Sequence, residues 1–350
     1  MLFIFRRKII LGFFQIILLS GSGSLVAQET ITTVKHKEGI LENLFGPGDE
    51  EFVCYNKVHR NFYTGIFALV VCLAIAIYGR YRIKKSMASK LEIKNSIIEE
   101  KNRDITDSIT YAKHLQEAIL PPINRIGEHF IDSFILYKPK DIVAGDFYWF
   151  ETLEDWTFIA AADCTGHGVP GAMVSVVCSN ALNRAVKEFG LRDTGKILDK
   201  TRELVIETFA KSSNKIADGM DISLLGINKS TSVITWSGAN NPLWYIENNG
   251  FKEIKANKQS IGKTDNPTSF TTHSVKHIPG TLFYLFTDGY ADQFGGSNGK
   301  KFKYKQLEGY ILANSEKPLV RMHKILSDKF EEWKGDLQQI DDVTIIGIKV

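Results

Sequence analysis

The spacing of apolar and polar residues changes character along this chain, and each change predicts a different element. Arg6, Arg7 and Lys8 precede an apolar run from Ile9 to Leu19, and small residues lead to Ala27 and Gln28. That is the pattern of a signal peptide over 1–27, or of an uncleaved N-terminal anchor. A second run, Phe62 to Tyr78, carries no charge and is about long enough to cross the ~30 Å hydrocarbon core, which predicts a transmembrane helix over 62–79. Arg80, Arg82, Lys84 and Lys85 follow at once, so everything beyond is expected in the cytoplasm, as a single-pass protein of the inner membrane. Residues 28–61 would then lie outside, too short a stretch for a sensor domain of their own.

From Ile83 to Leu120 the chain is charged and free of glycine and proline until Pro121 and Pro122. Leu91, Ile98, Ile105, Ala112 and Ile119 recur every seven residues, with Leu115 on a second seam position. This predicts a helical linker over 80–120 that pairs two chains as a coiled coil. Lys94 and Arg103 interrupt the other apolar register, so a single amphipathic helix packed on the following domain is the alternative. Over 121–350 the period changes again. Short β-rich runs (SFILY, TFIAAA, ISLLGI, SVITWSG, TLFYLF) arrive in consecutive pairs, with helical stretches at Ala172 to Phe189, Thr194 to Lys211 and Leu319 to Trp333. Paired strands with grouped helices predict an α+β domain with mainly antiparallel sheets.

The candidate chemistry sits where these strands should end. Asp146 lies in GDF, Asp163 in ADCTGHG, Asp218 and Asp221 in DGMD, Asp288 in FTDG, and Asp341 and Asp342 in DDVT. One Asp-Gly is ordinarily a turn. Carboxylates converging from several strand ends are instead what hard divalent cations need, because magnesium and manganese take oxygen ligands and keep open positions.

In order and spacing these motifs resemble the metal-dependent serine/threonine phosphatases of the protein phosphatase 2C (PPM) type, in their SpoIIE/RsbU-like bacterial branch. The resemblance runs from about Phe134 to Val350, and AGDFYWF with AADCTGHGVPGAMVS is its most specific part. It implies two packed antiparallel sheets flanked by helices, and two Mn²⁺ or Mg²⁺ ions. Asp163 would bridge them, the Cys164 backbone carbonyl would add an oxygen, Asp146 would hold water at the metals, and Asp288 and Asp341 would complete the second site. The implied reaction is direct attack of an activated water on phosphorus without a phosphoenzyme. The implied substrate is a phosphoserine or phosphothreonine on a protein such as an anti-sigma-factor antagonist.

Some residues stay open at this level. His167 is either a loop histidine satisfying a turn or a proton donor to the leaving oxygen. Asp218 and Asp221 are either a turn pair or an accessory metal or substrate contact. Cys164 beside a histidine hints at thiol chemistry, but its neighbour Asp163 makes the carbonyl the better candidate. The net charge of +3 gives no case for nucleic acid. Lysines cluster at Lys252, Lys255 and Lys258, and again at Lys300, Lys301, Lys303 and Lys305; they read as solvated loops or as a docking edge for a phosphoprotein. Two other functions fit less well: a silent membrane adaptor, which has no need of the carboxylate set, and a hydrolase of small phosphoesters.

Overall fold

The computed structural model describes residues 50–210, 218–248 and 250–350. The expected signal segment lies outside the described residues, as does 28–49. The first described helix, α1 (Glu50–Glu117), starts within the segment expected outside the membrane and runs through the expected span and linker. Pro47 and Gly48 precede it and no proline follows until Pro121, so nothing in between breaks the backbone ladder. Among the described helices α1 alone is long and apolar enough to cross a membrane. The chain divides into two compact units inside this helix, at Ile97 and Ile98. In the first, Phe62, Leu69 and Ile75 are exposed, as is Leu91 of the expected seam; in the second, Ile98 and Ile105 of that seam are exposed too.

The second unit continues through α2 (Ile123–Gly127), β1 (Asp132–Lys138), β2 (Phe147–Leu153), β3 (Trp156–Cys164), α3 (Gly168–Lys187) and α4 (Thr194–Ala210). Then come β4 (Met220–Asn228), β5 (Val233–Ala239), β6 (Leu243–Glu247), β7 (Gly250–Ile254), β8 (His273–Val275) and β9 (Leu282–Phe286). The chain ends through α5 (Gly289–Asp292), a small hairpin of β10 (Phe294–Gly295) and β11 (Lys300–Lys301), α6 (Tyr304–Ala313), α7 (Leu319–Lys334) and β12 (Val343–Lys349). One five-stranded sheet has the order β1-β12-β9-β6-β7 and the other β2-β3-β4-β5-β8. Every strand pair in both is antiparallel. This is the expected α+β architecture.

Strand alternation builds the layers. In β3, Phe158, Ala160 and Ala162 pack under α3 and α4 with Cys178, Leu182 and Leu198. Ile159 and Ala161 point the other way, into a core between the sheets shared with Phe283, Leu285 and Ile346. The outer face of the β12 sheet, with Tyr284, Phe286 and Ile345, is covered by Ile311, Met322, Leu326 and Phe330 of α6 and α7. Helix pairs thus cover both outer faces and an apolar layer joins the inner ones.

Candidate metal centre at the shared end of two sheets

The same alternation aims the acidic residues. Side chains two apart share a face, so Asp163 follows Ile159 and Ala161 onto the inner face of β3, at its last turn before the loop. Across the ladder Asp163 pairs with Asp221 of β4. Asp146 precedes Tyr148 and Phe150 on the inner face, and Asp342 precedes Thr344 and Ile346. The inner layer that is apolar along its length therefore becomes acidic at one end.

Asp146 is only 1% exposed. Its Oδ2 accepts from the hydroxyls of Thr287 at 2.6 Å and Thr344 at 2.9 Å, one from the end of β9 and one from β12. Burial raises its pKa, and these two hydroxyls act against that rise. Asp342 is also buried, but it holds backbone: it accepts from the amides of Lys140 and Gly145, each at 2.7 Å, and from Asp146 at 3.4 Å. It anchors the loop that delivers Asp146.

A cleft of about 230 Å³ opens beside them, lined by Asp163, Cys164, Thr165, Gly166, His167, Met220, Asp221, Ser260 and Asp341. Burial pushes the Asp163 carboxyl far above the carboxylate range, and Asp146, Asp288, Asp341 and Asp221 add repulsion in that order. Asp288 is pushed up to about 6, by burial first and then by Asp341, with Lys301 pulling the other way. The expected residues Asp146, Asp163, Asp288 and Asp341 thus share one electrostatic neighbourhood. As they stand, among the described residues, no three acidic, histidine or cysteine side chains are close enough together to ligate one ion. The donor chemistry fits hard cations nonetheless: the oxygens are carboxylates, and their mutual repulsion is what a divalent ion would relieve.

The turn after β3 needs glycine. Gly166 has φ of 86°, and a Cβ on Gly145 or Gly171 would collide with its carbonyl oxygen. The same close approach puts the Cys164 carbonyl 3.1 Å from where a Gly145 Cβ would stand. The Cys164 thiol is buried against Cys178 and its pKa is raised, first by that burial. His167 is exposed and its Nδ1 lies 2.8 Å from Asp141 Oδ2 at the cleft mouth. Asp218 does not line the cleft, whereas Asp221 does. Asp221 Oδ1 accepts from Ser260 Oγ at 2.5 Å and Asn240 Nδ2 at 2.9 Å, and Asn240 has a positive φ of 55°.

Sequence reasoning passes over Thr287, Thr344, Ser260, Asn240, Asp141 and Gln116. Both threonines sit inside the quoted motifs, in FTDG and DDVT. Gln116, in the last turn of α1 and buried, donates from Nε2 to the Ala144 carbonyl at 2.7 Å and to Ser175 Oγ at 3.0 Å. Its Oε1 accepts from the Ala144 amide at 3.1 Å. A larger cavity of about 490 Å³ lies at the far end of β1 and β12, among Asp132, Lys317 and Lys349, away from these carboxylates.

Residues 154–350 match the family described as Stage II sporulation protein E (SpoIIE). No curated protein sequence is detectably similar to the chain. Among solved structures, the PP2C domain of SiaA from Pseudomonas aeruginosa is 31% identical with a TM-score of 0.65, over 71% of this chain and 98% of that one. The PP2C phosphatase domain of SpoIIE from Bacillus subtilis, solved with a fragment of its regulatory domain, shares the fold at 15% identity and a TM-score of 0.50. That match spans 62% of this chain and 61% of the other. The sheets, the acidic strand ends and these similarities together make this chain a member of the SpoIIE family of PP2C-type serine/threonine phosphatases.

Proposed function

We propose that this chain is a membrane-anchored protein phosphatase that hydrolyses phosphoserine or phosphothreonine with two divalent cations, Mn²⁺ or Mg²⁺. The observation that carries this reading is the set of carboxylates from both sheets, Asp146, Asp163, Asp288 and Asp341, at one strand end around a cleft. Asp163 is the shared ligand in this reading, with the Cys164 carbonyl, Asp288 and Asp341 around it and Asp146 beneath. Bound cations would neutralise phosphoryl oxygens and activate the attacking water.

The chain's own residues do the rest. Thr287 and Thr344 keep the buried Asp146 carboxylate facing the site, and Asp342 clamps the loop that carries it. Asp141 orients His167 at the open side of the cleft, where an imidazolium would reach a leaving oxygen. Asp221, held by Ser260 and Asn240, is an additional oxygen donor on the same wall. The physiological substrate in this reading is a phosphorylated signalling protein of the anti-sigma-factor antagonist type. The apolar part of α1 anchors the chain in the inner membrane with the phosphatase in the cytoplasm, and the linker joins two chains.

The test uses the full chain in neutral detergent with an aryl phosphate and a phosphoserine peptide. Hydrolysis is expected with Mn²⁺ or Mg²⁺ and none in chelator. Asp163→Ala should lower the rate at least about a hundredfold, ~3 kcal/mol of barrier. Full activity in chelator, or in Asp163→Ala, refutes the assignment.

A further inference from the structure

The lysine run at Lys300, Lys301, Lys303 and Lys305 is not a loose loop. Phe302 is 1% exposed and sits within a cage of Tyr290, Tyr310 and Trp333, with ring centroids at 5.1, 5.9 and 5.2 Å. This plug fixes the hairpin and leaves the lysines around it exposed. The seat is tight on the α7 side as well. The Gly296 amide donates to the Trp333 carbonyl at 2.8 Å, and Trp333 Nε1 donates to the Gln293 carbonyl at 3.1 Å.

The run also adjoins the metal centre. Lys301 Nζ pairs with Asp292 at 2.7 Å, on the short helix that follows Asp288. The Lys303 amide donates to the Ala291 carbonyl at 2.6 Å on the same helix. Tyr304 packs 5.8 Å from Phe286, two residues before Asp288. Its hydroxyl pKa is raised, by burial first and then by Asp288, Asp292, Asp163 and Asp221. Among the described residues, Lys300, Lys303 and Lys305 form no ion pair, whereas Lys301 does. Lys303 has φ 72° and ψ 145°, a conformation that glycine adopts far more cheaply than any residue with a Cβ.

We infer that this plugged basic corner is a docking edge for an acidic segment next to the phosphorylated residue of a protein substrate. The inference rests on the proposed phosphatase reading and names the substrate class it favours. Charge complementarity argues for it: among the described residues three unpaired ammonium groups stand around a buried aromatic plug, on a hairpin held against the short helix that follows Asp288. Such an arrangement selects partners and register more than it drives chemistry.

The test uses the full chain in neutral detergent and two phosphoserine peptides, one flanked by aspartates and one by asparagines. The variant K300A/K303A/K305A is compared with K317A/R321A/K324A, which removes the same charge from residues towards the Asp132 end. The expected result is a KM about tenfold higher for the acidic peptide in the first variant alone, with kcat and aryl phosphate hydrolysis kept, and with the preference fading in high salt. Lys303→Gly should raise Tm and still raise that KM. If the parent hydrolyses neither substrate, the metal-site reading fails; anisotropy of the labelled acidic peptide then still tests the lysines, with weaker binding expected in K300A/K303A/K305A. Equal losses on aryl phosphate and peptide would mean that the lysines act on the field of the site, which overturns docking. Unchanged peptide kinetics and binding, with lost association to phosphatidylglycerol nanodiscs against phosphatidylcholine ones, would overturn it in favour of a lipid surface.

Discussion

Single side chains decide how much charge this cleft tolerates. Asp288 is held up to about 6, so between the ordinary carboxylate value of about 4 and that value the folded state keeps a proton that the unfolded chain releases. The stability from that proton is fully present below the unfolded value and is lost as pH rises through about 6. In chelator, Tm should therefore fall as pH rises across that window, Asp288→Asn should flatten the fall, and Mg²⁺ should offset it in the parent; scanning calorimetry at several pH values reads all three. Thr287 is a sharper test of the buried end. Thr287→Val removes a hydroxyl from Asp146 while keeping the shape, which should cost about 1–3 kcal/mol of stability, measured by urea melts, and should lower activity with it. The route to Asp163 and Asp146 was legible in the sequence, because FIAAAD and GDF show a carboxylate in phase with alternating apolar residues. The role of Asp342 was not. Its partners are backbone amides of residues 140–146, about two hundred positions away, and an amide leaves no trace in residue type.

At the scale of elements, the helix α1 is longer at its start than its apolar span alone suggests, since periodicity marks where a helix must be buried and not where it can begin. The heptad spacing was readable, but Gln116 was not distinguishable from any polar residue between seam positions. Its amide satisfies both backbone groups of Ala144, two residues before Asp146. Gln116→Leu strands these groups, so it should destabilise the domain by about 1–3 kcal/mol and reduce turnover, and Gln116→Glu should not rescue it, because a carboxylate cannot donate to the carbonyl. The linker itself is tested by insertions near Asn102, with membranes as the sample. Seven residues return a helix to within about 20° of its original face and four turn it by about 40°. Activity and cross-linking that follow phase more than length would mark a transmitting helix, and no change in either would mark a tether.

For the molecule as a whole, fold class was the most legible level, since strands that come in pairs and helices that come in groups leave few layer arrangements. The proposed orientation in a membrane rests on the basic residues after Tyr78. Reporter fusions after Lys85 should be active only inside, and fusions within residues 30–55 only outside, with the reverse result refuting a cytoplasmic phosphatase. The cleft also has a mechanical meaning. Asp163 and Asp221 ride on one sheet, while Asp288 and Asp341 flank the strands of the other. The cleft is therefore a vernier for the sandwich, because a slip of one sheet against its neighbour would part the two pairs of oxygens. A cation gripped by both pairs would resist that slip, and slip would loosen the cation by the same free energy. Magnesium should then slow amide exchange in β3, β4, β9 and β12 together, and in Asp163→Ala the four strands should exchange as though no magnesium had been added.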